Sequence, residues 1–261
     1  MDQPAAPADL KPLKSATLES LNCLTHGFFG RLGGVSTPPF EALNAGPLSG
    51  DTPADVAENR RRIRTALGVQ AMVSLRQVHG RRVVDVKSPW PDGALPEGDA
   101  LVTDRSDVAL CILTADCAPV LFADIRLPVI AAAHAGWRGA LAGVCEATLE
   151  RMAAYGSRPR DVVAVIGPAI AQASYEVGPD LRAAALSADP TAGTYFAEGR
   201  GDRLQFDLPG YVHHRLGMAG VGWIEHVGGD TYASDGLFSY RRATHAGAAH
   251  YGRNASVIAH S

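Results

Sequence analysis

Apolar and polar positions change rhythm several times along the chain, and each rhythm predicts an element. Val56 and Ile63 recur at a seven-residue interval, with Arg60 and Leu67 continuing the series. Pro53 suits a first helical position and Gly68 suits a stop, so a helix is expected from about Thr52 to Gly68. Residues 72–78 and 82–86 are short and β-prone, separated by His79-Gly80. Residues 109–114, 120–123 and 129–133 are apolar runs of strand length, which predict buried strands. Over 139–155, Leu141, Val144, Cys145, Thr148 and Met152 keep a 3.6-residue period, which predicts one helix ending at Gly156. Residues 162–166 read as a strand closed by Gly167-Pro168, 179–187 and 209–217 as short helices, and 221–227 and 256–259 as late strands. An ordered segment at 23–29 runs into a glycine-rich turn at 30–34. The Pro- and Gly-bearing stretches 36–51 and 88–99 read as loops. The result is an α+β fold, mixed β-sheets with helices packed outside. Residues 1–17 are expected to be a flexible tail and 18–261 a single domain.

Composition narrows the classes. The chain has 261 residues, 46% of them apolar and 20% charged, which excludes a disordered protein. Its net charge of −3 is no nucleic-acid footprint. The longest apolar run, 127–135, is too short to span a bilayer and contains His134. Residues 1–9 lack the basic start and apolar core of a signal peptide, so a cytoplasmic location is expected. There Cys23, Cys111, Cys117 and Cys145 are expected to be reduced thiols.

Three stretches deliver a reactive side chain where an apolar run meets a turn: Gln77-Val78-His79-Gly80, Thr114-Ala115-Asp116-Cys117 and Ala133-His134-Ala135-Gly136-Trp137-Arg138-Gly139. Imidazole and thiolate are donors that Zn²⁺ takes, and three protein ligands leave a position open. Taken singly, each histidine also fits a hydrogen-bonded structural role, and Cys117 fits a buried thiol. Arg31, beside glycines, and Arg138, at an expected helix start, could hold phosphate. A structural role for either is the alternative. Asp116 either orients a neighbouring ligand or caps a turn. His213-His214 reads as polar surface, and His226, His245, His250 and His260 have no motif around them.

The combination of motifs is more specific. Phe28-Phe29-Gly30-Arg31-Leu32-Gly33-Gly34-Val35-Ser36, Glu58-Asn59-Arg60, Gln77-Val78-His79-Gly80, Ala115-Asp116-Cys117, His134-Ala135-Gly136-Trp137-Arg138-Gly139, Ile166-Gly167-Pro168 and Ser239-Tyr240-Arg241-Arg242 occur in that order. Together they closely resemble the YfiH family, also called laccase-domain or multicopper polyphenol oxidase proteins, over roughly residues 23–260. The resemblance implies a zinc-dependent purine nucleoside phosphorylase acting on adenosine, inosine, guanosine and methylthioadenosine, with adenosine deaminase activity. It maps the catalytic and metal-binding residues onto His79, Cys117 and His134, and it adds Arg60 to Arg31 and Arg138 as substrate or phosphate ligands. The implied partners are purine nucleosides and phosphate, with no nucleic acid and no membrane, in a monomer or small homo-oligomer. Two departures bear on substrate preference. Pro47-Leu48-Ser49-Gly50-Asp51 lacks a histidine often found there in the family, and Ala243 to Tyr251 replaces a shorter turn.

Other chemistries remain open at this level. A metal-free cysteine hydrolase acting in peptidoglycan precursor editing would use Cys117 as nucleophile and His79 or His134 as base. Copper-based phenol oxidation needs more ligands than one three-residue cluster and is the weaker metal assignment. A non-catalytic scaffold would need a fourth protein ligand to close the metal site.

Overall fold

The computed structural model describes residues 10–91 and 93–261. Its centre is a six-stranded sheet made of β3 (Val83–Asp85), β4 (Ala100–Thr103), β6 (Ala118–Asp124), β7 (Ile130–Ala135), β8 (Val162–Ile166) and β12 (Trp223–His226), in the order β12-β8-β6-β7-β4-β3. A four-stranded sheet lies against it, with β1 (Leu24–Phe29), β2 (Met72–Val73), β5 (Ala109–Thr114) and β13 (Asn254–His260) in the order β1-β13-β5-β2. A third, small sheet pairs β9 (Glu176–Val177), β10 (Phe196–Glu198) and β11 (Leu204–Phe206).

Strand alternation builds the layers. On β5, Leu110 and Ile112 face the six-stranded sheet and meet Leu101, Leu121 and Ala132. Ala109, Cys111 and Leu113 face the other way, where Ile63 and Leu67 of α2 (Pro53–Leu67) cover them. On the far side, Val120, Phe122, Ala131 and Ala133 pack against α3 (Trp137–Ala142), α4 (Val144–Ala153) and α6 (Leu208–Met218) through Ala140, Val144, Leu149, Val212 and Leu216. The layers are therefore helix, sheet, sheet, helix, as the α+β reading requires. The remaining helices are α1 (Ala16–Glu19), α5 (Pro179–Ala188) and α7 (Tyr240–His245).

Several expectations change. Residues 1–9 lie outside the described residues, but 10–17 are not a flexible tail. Leu13 exchanges two 2.9 Å backbone hydrogen bonds with Phe28, and buried Ser15 caps α1 by accepting from the Leu18 N–H. The single helix expected over 139–155 is two helices, because Gly143 adopts φ +86° and ends α3. The strand expected over 72–78 stops at Val73. Beyond it Gln77 is tied by its side chain, its Nε2 donating to Leu113 O at 2.7 Å and its Oε1 accepting from Leu113 N at 2.9 Å. Strands β4, β9, β10 and β11 and helices α1 and α7 have no counterpart in the sequence reading. Among the described residues, no helix is long and apolar enough to cross a membrane.

Candidate active site and metal centre

Antiparallel pairing of β4 with β7 sets Ala100 opposite Ala133, and one step further Asp99 lies opposite His134. The backbone follows that register, with His134 N donating to Asp99 O at 2.7 Å. The side chains follow it too: His134 Nδ1 and Asp99 Oδ1 are 2.9 Å apart, and both residues are buried. The loop from β2 to β3 crosses the same carboxylate. Val78 N and His79 N donate to Oδ1 at 3.2 and 2.9 Å, and Gly80 N donates to Oδ2 at 2.7 Å. His79 itself takes φ +62°, a left-handed conformation unusual for a residue with a Cβ.

Cys117 arrives from the tight turn between β5 and β6. Asp116 in that turn has φ +90°, and its two carboxylate oxygens are both engaged. Oδ1 accepts from Thr231 Oγ1 and Oδ2 from Arg241 N, each at 2.6 Å. Asp116 thus ties the cysteine turn to the C-terminal region.

The three side chains converge. One donor atom from each of His79, Cys117 and His134 lies within 4.8 Å of the others, and Cys117 Sγ is 3.9 Å from His79 Nε2. Among the described residues, this is the one group of three or more such donors able to share an ion. The donor chemistry fits a borderline-soft divalent ion such as zinc, with two imidazoles and one thiolate. Glycine makes room for the cluster: a Cβ at Gly136 would lie 2.9 Å from both Cys117 Sγ and His79 Cδ2.

The cluster is electrostatically prepared. Burial pushes the Cys117 thiol up, but the His134 charge and hydrogen bonds from both histidines outweigh it and bring it down to about 6. Burial pushes His134 down, while the Cys117 thiolate and Asp99 raise it to about 9. The Asp99 carboxyl is pushed up by burial, yet His134 and the Gly80 and His79 N–H groups hold it below the usual carboxylate range. The two shifts, Cys117 down and His134 up, both favour a thiolate beside an imidazolium when no metal is bound.

All three residues line a cavity of about 550 Å³, a size suited to a small organic molecule. Its wall combines apolar Leu75, Leu95 and Leu113 with Tyr175, Tyr240 and Tyr251. The charged lining is unbalanced: Arg138, Arg241 and Arg253 face the single carboxylate of Asp116. The Arg138 guanidinium lies 4.3 Å from the Trp137 ring centroid, and no carboxylate among the described residues pairs with it. Arg241 sits 5.4 Å over Tyr175 and donates to Glu176 O at 2.8 Å. Burial raises the Tyr175 hydroxyl's pKa, so it stays protonated.

Two expected phosphate ligands point elsewhere. Arg31 donates from Nε to Glu41 O at 2.7 Å, pairs with Glu41 Oε1 at 3.1 Å and does not line the cavity. Its charge is satisfied by Glu41 of the 36–51 loop. Arg60 is buried, donating to the Ala45 and Met72 carbonyls, and clamps α2 to the four-stranded sheet. Arg138 does reach the cavity, but α3 is only six residues long, so the side chain rather than a long helix terminus supplies its charge. Asp99, Tyr175, Arg241 and Arg253 were absent from the candidate residues. Of these, Arg241 had a signal, the Ser239-Tyr240-Arg241-Arg242 motif.

Fold and site define an α+β protein of two packed sheets with a His-Cys-His cluster opening into a cationic cavity. The chain belongs to the family described as multi-copper polyphenol oxidoreductase laccase, whose pattern matches residues 25–261. The resemblance to YfiH proteins is borne out. A purine nucleoside phosphorylase of Streptomyces coelicolor is 41% identical over 226 residues, 86% of this chain and 92% of that protein. The purine nucleoside phosphorylase YfiH of Escherichia coli is 39% identical, over 81% of this chain and 86% of its own. Among solved structures, a Neisseria meningitidis protein described as a member of family DUF152 superposes with a TM-score of 0.82 at 34% identity, covering 97% of this chain and 98% of that one.

Proposed function

We propose that the protein is a purine nucleoside phosphorylase in which His79, Cys117 and His134 hold zinc. The observation that carries this reading is the convergence of those three side chains on the wall of the arginine-lined cavity. The relatives named purine nucleoside phosphorylase support it. Zinc bound there supplies a Lewis acid beside the substrate.

The chain's own residues account for the rest. Arg138 and Arg241 hold phosphate, their guanidinium forks matching its oxygens. Tyr240 and Tyr251, whose ring centroids are 5.1 Å apart, offer an aromatic surface for the purine. In phosphorolysis a phosphate oxygen bonds to the ribose carbon as the bond from that carbon to the base breaks. The base leaves carrying the bonding electrons and takes a proton. The protonated Tyr175 hydroxyl is a hydrogen-bond donor in the same cavity. Adenosine, inosine, guanosine and methylthioadenosine share the purine that this cavity would take. Hydrolytic deamination of adenosine uses water in place of phosphate and needs neither arginine. A cytoplasmic location belongs to the same reading.

The test is release of free base from inosine with and without phosphate. Release that rises with phosphate, with matching formation of ribose phosphate, is expected. Release independent of phosphate, or none from any purine nucleoside, overturns the reading.

One observation favours a second reading. The Cys117 thiol is lowered to about 6 beside a cationic His134, the arrangement of a cysteine nucleophile with its acid–base partner. On that reading the protein is a metal-free hydrolase acting in peptidoglycan precursor editing, and activity would survive removal of metal.

A further inference from the structure

Asp99 does not line the 550 Å³ cavity, yet it contacts two of the three proposed ligand residues. Its Oδ1 lies 2.9 Å from His134 Nδ1 and accepts from His79 N at 2.9 Å, while Oδ2 accepts from Gly80 N at 2.7 Å. The residue is 0% exposed, so solvent does not compete for these bonds. The bonds have two consequences. A carboxylate can only accept here, so Nδ1 of His134 must carry a proton and Nε2 is the nitrogen left to bind an ion. His79 is exposed and stands at φ +62°, so three backbone N–H groups on a buried carboxylate fix a loop that would otherwise be mobile.

We propose that Asp99 is a positioning residue that presets both histidines before any metal arrives: it selects Nε2 of His134 as the ligand atom and holds the 78–80 backbone so that His79 faces Cys117. The proposal rests on the reading of His79, Cys117 and His134 as a metal site. Such outer partners of ligating histidines are worth about 10–100-fold in metal affinity.

The central variant is Asp99→Asn, which keeps the shape. Its amide oxygen can still accept from the backbone. Its NH₂ group turned toward His134 would instead donate to Nδ1, leaving the proton on Nε2 and removing that lone pair. Zinc affinity, read by competition with a chromogenic chelator, is expected to fall about 10–100-fold, with the metal-free variant still folded by circular dichroism. Unchanged affinity in a folded variant overturns the proposal.

Two measurements on the unmodified chain decide the matter should the variant fail to fold. Long-range ¹H–¹⁵N spectra of the zinc-loaded protein should show Nδ1 of His134 protonated and Nε2 bound. Ligation through Nδ1 overturns the proposal. Amide exchange at 78–80 should be slow in metal-free protein. Fast exchange that slows only with zinc assigns the loop's order to the metal and also overturns it. A native chain that binds no zinc refutes the metal reading itself, and that outcome is separate from the others.

Discussion

The Gly136 backbone passes so close to Cys117 that a Cβ at Gly136 would lie 2.9 Å from the cysteine Sγ. Its φ of −71° and ψ of 163° are open to any residue, so space alone requires glycine. Gly136→Ala is expected to displace Cys117 or His79 rather than unfold the protein, because His79 sits on an exposed loop. A ligand misplaced by about 1 Å costs about 100-fold in rate, and kcat/KM should fall by that order, with weaker zinc binding. Steady-state kinetics with chelator competition check this, and wild-type values in the variant contradict it.

Proton release should accompany metal uptake. Cys117 is lowered to about 6 and His134 raised to about 9, so between those values the metal-free pair is thiolate and imidazolium. A ligating histidine must be neutral. Zinc binding at pH 7.5 is therefore expected to displace one proton, from His134. Apparent affinity should rise with pH from 6 to 9 and level off above 9. It should fall more steeply below 6, where the thiol must also lose a proton. Calorimetry in buffers of different ionisation enthalpy counts the protons, and release of none contradicts the assignment.

Arginine substitutions should separate two roles. Arg138→Ala removes a cation with no carboxylate partner among the described residues, and is expected to raise the KM for phosphate at least about tenfold, the loss of a charged hydrogen bond. Any hydrolytic deamination of adenosine by the proposed site should be spared, because water replaces the anion. Arg31→Ala removes both the pair with Glu41 and the Nε bond to the Glu41 carbonyl and should cost about 1–3 kcal/mol of stability, with the phosphate KM unchanged. Equal loss of both activities in Arg138→Ala would instead mark it as structural.

The break between α3 and α4 depends on Gly143, at φ +86°. Gly143→Ala forces a side chain into that left-handed conformation, at a cost of about 1–2 kcal/mol. A lower melting temperature with unchanged zinc affinity is the expected result. A fall in zinc affinity would mean that the break helps to place the site.

Local signals made parts of this fold legible. Pro53, the Val56–Ile63 recurrence and Gly68 mark α2 because helix ends and faces are written within a few residues. The apolar runs at β5, β6 and β7 are legible because these strands are buried on both faces. The three proposed ligand residues were legible as donors at turns within recognisable motifs. Asp99 was not, because β4 has only four residues and follows a Pro- and Gly-bearing loop that hides its start. Its role appears only when pairing of Ala100 with Ala133 sets it opposite His134, 35 residues away. Arg31 and Arg60 point away from the cavity for a related reason. A motif places a residue in the chain, but Glu41 and the carbonyls of Ala45 and Met72 decide where the guanidinium points.

Metal dependence of phosphate-driven base release is the most direct measurement. The protein is stripped with chelator, assayed with inosine and phosphate, and titrated with zinc. Activity should vanish on stripping and return in full at one zinc per chain, and Cys117→Ala should not recover. A stripped protein that keeps its full rate would contradict the metal-centred site.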